Sequence, residues 1–97
     1  MPSYIIVDVT VLNESEYANY RAQTPATVDL YNGKFIVRGG NIEVVEGTWN
    51  PERLVIIEFS SAARAKEWWY SPEYCAIKNI RFKNAESNML LVEGYMP

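Results

Sequence analysis

Residues 3–11 alternate as a β-strand rich in β-branched side chains. Ile5, Val7, Val9 and Val11 form a wholly apolar face, and Tyr4, Ile6, Asp8 and Thr10 a mixed one. Asn13 reads as a helix N-cap, with Glu16 as the returning acid of a capping box. Tyr17, Tyr20, Thr24, Val28 and Tyr31 then recur at spacings of three and four, which sets them on one helical face. Pro25 predicts a kink, or a restart capped by Thr24, and Gly33 predicts a left-handed C-cap. Residues 34–38 read as a second strand and 41–48 as its resumption after Gly39-Gly40. That glycine pair is either a tight hairpin turn or a bulge in one bent strand. Residues 49–53 form a turn around Asn50-Pro51, and 54–59 a nearly continuous apolar strand. Ser60-Ser61 caps a helix to about Trp69, Ser71-Pro72 caps another to about residue 82, and 87–94 is the last strand.

With the bulge, the order is strand, helix, strand, strand, helix, strand. This is an α+β, ferredoxin-like split βαβ pattern: one antiparallel sheet with its helices on one face. A hairpin at the glycines would instead give five strands. The single domain spans 1–97.

Such a sheet leaves one face uncovered, and here that face is apolar in places. Strand 3–11 puts Tyr4, Ile6 and Thr10 outside, and strand 54–59 leaves apolar residues outside on either parity. The simplest cover is a second copy packed face to face about a twofold axis, so a homodimer is expected. The same alternation turns Asp8, Arg38 and Glu58 outward, and Glu46 with them if the glycine bulge sets its parity so. One arginine against two or three carboxylates is a candidate small-molecule pocket. The competing reading is a structural network that sets the register of an interface.

Composition narrows the chemistry. Nine basic against twelve acidic residues give a net charge of −3, which argues against nucleic acid as a partner. The chain has no histidine, which removes the usual general base near neutrality and the usual haem ligand. Its one cysteine forms no internal disulfide, so a reducing, cytoplasmic setting is expected. No apolar run approaches a membrane span, and no signal peptide is indicated at the N-terminus. No metal and no cofactor are expected, because Asp8, Glu46 and Glu58 share no tight ligand spacing. Cys75, with no histidine to activate it, reads as a small buried hydrophobe. Trp49 is either a pocket wall or an aromatic capping the edge of the core. Of Trp68 and Trp69, about 100° apart on a helix, one belongs in the core. Lys78 and Arg81 complement the end of their helix, with a ligand contact by Arg81 as the alternative.

Four ordered segments carry a resemblance. They are Gly33-Lys-Phe-Ile-Val-Arg-Gly-Gly40, Val45-Glu-Gly-Thr-Trp49, Pro51-Glu-Arg-Leu-Val-Ile-Ile-Glu-Phe59 and Trp69-Tyr-Ser-Pro-Glu-Tyr74. Together they resemble the DUF1330 family over nearly the whole chain. The resemblance implies a dimeric α/β-barrel, with ferredoxin-like protomers packed sheet to sheet. It also implies membership of a wider superfamily that includes cofactor-independent monooxygenases, isomerases and haem-handling enzymes. The motif positions carried over as site candidates are Arg38, Glu46, Trp49, Glu58 and Tyr74.

The expected function is binding of a small polar or anionic organic molecule. Arg38 would pair its acidic group, assisted by Asp8, with Trp49 and Tyr74 as walls. Glu58 or Glu46 would accept a proton in a cofactor-free oxygenase or isomerase. The alternative is a non-enzymatic structural or stress-related dimeric module.

Overall fold

A computed structural model describes residues 1–97. In chain order the elements are β1 (Ser3–Val11), α1 (Glu14–Leu30), β2 (Lys34–Arg38), β3 (Arg53–Phe59), α2 (Ala62–Tyr70), α3 (Pro72–Asn84) and β4 (Ala85–Glu93). The strands pair antiparallel in the order β2-β3-β1-β4, as the ferredoxin-like reading requires. β1 lies at the centre because it carries the cleanest alternation: Ile5, Val7 and Val9 are buried and the residues between them are not.

Helices α1, α2 and α3 cover the inner face of the sheet. Val55, Ile57 and Phe59 of β3 join the β1 valines under Tyr17, Tyr20 and Val28 of α1 and Trp68 and Tyr74 of α2 and α3. Trp68 stacks between Phe59 (centroids 5.6 Å apart) and Tyr74 (4.1 Å). It is the tryptophan of the core, and its indole N–H donates to Thr27 Oγ1 at 3.1 Å. Asn13 caps α1 as its sequence predicts, accepting from Glu16 N–H, and Ser71 caps α3 by accepting from Tyr74 N–H.

Four local readings of the sequence need correction. Gly39-Gly40 is not a bulge in a longer strand: β2 ends at Arg38, and 41–48 form no strand. Gly39 sits at φ +71, and its N–H donates to Leu54 O at 2.9 Å, which closes the strand end. The bulge lies earlier, at Ile36: Phe35 faces Ile57, but Val37 faces Ile56. The left-handed residue after α1 is Asn32 (φ 60) rather than Gly33. Gly33 answers a different need, since a Cβ there would lie 2.7 Å from the Phe59 ring and from Val28.

Pro25 does not restart α1 with Thr24 as a cap: the helix runs unbroken through it. A proline has no N–H for the carbonyl four residues earlier, here that of Arg21. The Arg38 guanidinium donates to that carbonyl at 2.7 Å, so a side chain from β2 replaces the missing helical bond. Finally, Cys75 is exposed. The buried stripe of α3 is Tyr74, Ile77 and Arg81, and Cys75 is turned about 100° away from it.

Candidate functional site

The structure divides the expected site residues between the two faces of the sheet. Asp8 and Glu58 point to the outer, uncovered face. Asp8 Oδ1 accepts from the backbone N–H and the Nδ2 of Asn88, both at 3.1 Å, and its Oδ2 accepts from Trp49 Nε1 at 3.2 Å. Burial pushes the Asp8 carboxyl up, but the hydrogen bonds from Asn88 and Trp49 outweigh it and hold the group below its ordinary value. Trp49 is thus laid against the sheet, though it remains 64% exposed.

Glu58 faces Tyr4, whose hydroxyl donates to it at 3.2 Å, and Lys34 Nζ lies 3.7 Å away. Tyr4 and Asp8 are four residues apart on one strand, a separation of about 13 Å, so the two carboxylates do not form a pair. Between them runs an apolar row of Leu90, Ile6 and Ile56. Glu46 lies in the exposed segment between β2 and β3. No group of three or more acidic, histidine or cysteine side chains gathers that could hold a metal ion.

Arg38 is on the other face. The bulge at Ile36 shifts the alternation by one, so Arg38 pairs with Val55 and turns inward with it. There it stacks on Phe35, 4.7 Å from the ring centroid, at the edge of a cleft between α1, α3 and the sheet. The cleft encloses about 400 Å³ including its open mouth, but only about 30 Å³ admits a water-sized body.

Its walls hold an unusual set of charges. Arg21, Arg38, Arg53 and Arg81 line it, with no aspartate or glutamate among the lining residues. Arg38 is exposed, Arg21 and Arg53 are half-buried, and Arg81 is only 4% exposed. Arg81 donates through Nε to the Tyr74 hydroxyl at 3.3 Å and through Nη1 to Ser87 Oγ. Its Nη2 and the Nε of Arg53 are buried without any partner. Such groups are costly to leave unsatisfied and are rare in folded proteins.

Tyrosines complete the lining. Tyr20 and Tyr74 share a buried hydrogen bond of 2.8 Å, and Tyr17 packs 5.4 Å from the Tyr20 ring centroid. Burial raises the Tyr17 phenol and pushes that of Tyr20 well above its ordinary range, so both stay protonated and act as neutral donors. Burial alone would draw Arg81 down; the Tyr74 and Tyr20 oxygens more than offset it, and Arg81 remains a cation.

Tyr74 is fully buried and is not a wall of the cleft; it holds Arg81 and Tyr20 in place. Sequence reasoning missed Arg21 and Arg53 as site residues and preferred a helix-end role for Arg81. One signal was available for Arg81: it falls seven residues after Tyr74, on the buried stripe of α3.

The fold recurs in proteins of divergent sequence. One relative is a protein of unknown function from Rhodopseudomonas palustris, with TM-score 0.79 and 18% identity over 99% of this chain and 84% of that one. A dimeric ferredoxin-like protein of unknown function from Jannaschia also superposes with TM-score 0.79, at 10% identity, covering 97% of this chain and 100% of that one. SnoaB, a cofactor-independent oxygenase from Streptomyces nogalater, superposes with TM-score 0.68 at 12% identity, covering 99% and 95%. At such identities the likeness is one of fold. No curated protein matches the chain. The sequence pattern of a domain of unknown function, DUF1330, matches residues 2–95, and the chain belongs to that family.

Proposed function

We propose that this protein binds a small anionic organic molecule in the cleft between α1, α3 and the sheet, and that it does so as a homodimer joined through the outer sheet faces. One observation carries the reading. Two buried arginine nitrogens, Arg81 Nη2 and Arg53 Nε, lack partners in residues that line a cleft without acidic side chains. A bound carboxylate or phosphate would satisfy them with charge-assisted hydrogen bonds. Phe35, Val55 and Met89 would hold the apolar part of the ligand.

Asp8, Trp49 and Glu58 then belong to the dimer interface, where they flank the apolar row and set its register. Glu46 and Glu58 lie outside the cleft, so neither serves as its proton acceptor. The residues in the cleft suit stabilisation of an enolate or phenolate on the ligand, with Tyr20 and Arg81 as donors. A cofactor-free oxygenase or isomerase on this site would take its base from the substrate or from water. The second reading is a binding module without catalysis, favoured by the absence of any histidine or carboxylate from the lining. A cytoplasmic setting accords with the single exposed thiol.

Thermal denaturation with a panel of small carboxylates and phosphates tests the reading. A ligand of the folded state raises the melting temperature, and the rise continues with the logarithm of ligand concentration above Kd. The expected result is a concentration-dependent rise that is lost in Arg53→Gln. A melting temperature indifferent to every anion at matched ionic strength would sink the proposal.

A further inference from the structure

We infer that the cleft discriminates by charge number, taking a compact dianionic head, such as a phosphate monoester or a dicarboxylate, in preference to a monoanion. The inference rests on the anion-binding reading above and adds to it. The ion pairs of the chain are Arg21–Glu14, Lys34–Glu58 and Arg64–Glu67. Among the cleft arginines only Arg21 therefore has an acid beside it. Arg38, Arg53 and Arg81 come from β2, β3 and α3, and none of the three has a carboxylate partner.

A single carboxylate offers two oxygens and one charge, enough for one bidentate guanidinium. Three guanidiniums from three directions are better matched by a head with more oxygens and a second charge. Partial burial sharpens the difference, because a charge removed from water is stabilised chiefly by direct pairing. The narrow interior, with its 30 Å³ of space for water-sized bodies, limits the head to a compact group.

No histidine, cysteine or carboxylate side chain lines the cleft with these arginines. From α1 they meet Tyr17, Tyr20 and Arg21, from α3 Tyr74, from β2 and β3 one another, and from β4 Ser87 and Met89. Both lining phenols are raised and the rest of the set is arginine or uncharged. A change of affinity with pH near neutrality therefore reports the ligand, whose second phosphate ionisation falls near about pH 6.

Calorimetric titration of the full chain with inorganic phosphate, malonate, sulfate and acetate at fixed ionic strength tests the inference. At pH 8 the dianions should bind at least about tenfold tighter than acetate, the equivalent of one further charge-assisted hydrogen bond. Phosphate affinity should rise between pH 5.5 and 8, while sulfate affinity stays level. Arg38→Gln, at the exposed mouth, should narrow the preference, and Arg53→Gln should narrow it further. Phosphate outranking malonate would assign a phosphoryl head, and the reverse a dicarboxylate.

Acetate binding as tightly as the dianions would overturn the charge preference and leave the anion site standing. Binding of none of the four would overturn both. A preference unchanged in both variants would remove it from this cleft.

Discussion

Tyr74 links two buried groups through one oxygen, bonding the Tyr20 hydroxyl and accepting from Arg81 Nε, while its ring stacks on Trp68. Removing only that oxygen leaves a phenol and a guanidinium unsatisfied in the core. Tyr74→Phe should therefore destabilise the protein by about 1–3 kcal/mol in urea unfolding, despite keeping the ring. A loss below a few tenths would mean that water replaces the bond. Tyr20 adds a pH dependence. Its folded-state phenol ionises well above its ordinary value, so the native state holds that proton more tightly than the unfolded chain. The resulting stability is fully present below pH 10 and declines as pH rises above it. Tyr20→Phe should flatten this alkaline decline; an unchanged slope in chemical denaturation between pH 9 and 11 would assign it to other groups.

At the scale of elements, α1 and β2 depend on each other in a way that strand and helix propensities do not describe. Pro25 frees the Arg21 carbonyl, and Arg38 occupies it. In Pro25→Ala the new N–H competes for the same oxygen. Arg38→Gln should then cost about 0.5–1.5 kcal/mol in the native background and measurably less beside Pro25→Ala. Additive losses in this double-mutant cycle would show that the two sites are not coupled. The turn between the same two elements is also constrained by contact. Gly33→Ala drives a Cβ into Phe59 and Val28 and should lower stability by about 1–3 kcal/mol in denaturant titration. At the far end of β2, Gly39 lies at positive φ where an added Cβ would run into the Arg53 guanidinium, so a side chain there would displace a cleft arginine as well as strain the backbone.

The whole molecule is a sheet covered on one face. Ile36, Leu90 and Val92 are exposed on or beside the other, and Leu90 is 63% accessible. A face-to-face dimer would bury this row, and light scattering should return about twice the 11.1 kDa of one chain. Leu90→Lys should return the monomer mass without unfolding the chain. A monomeric native protein at micromolar concentration would leave the apolar row without a cover and would withdraw the interface role proposed for Asp8, Trp49 and Glu58. No helix is long and apolar enough to cross a membrane.

What the residues determined unaided is the architecture. Alternation in 3–11 and 54–59, the Asn13 and Ser71 caps and the Ser71-Pro72 break are local signals, and each appears in the fold where its chemistry requires. The apolar outer face was also legible. The tertiary structure decided where Arg38 points. A single extra residue at Ile36 inverts every facing after it, so Arg38 parts from Asp8 and Glu58 and joins Arg53 and Arg81 inside. No periodicity marks such a bulge beforehand, because its position depends on how β2 is matched to β3. The site arginines are likewise scattered through the chain at 21, 38, 53 and 81, and only the antiparallel pairing and the packing of α1 and α3 bring them to one cleft.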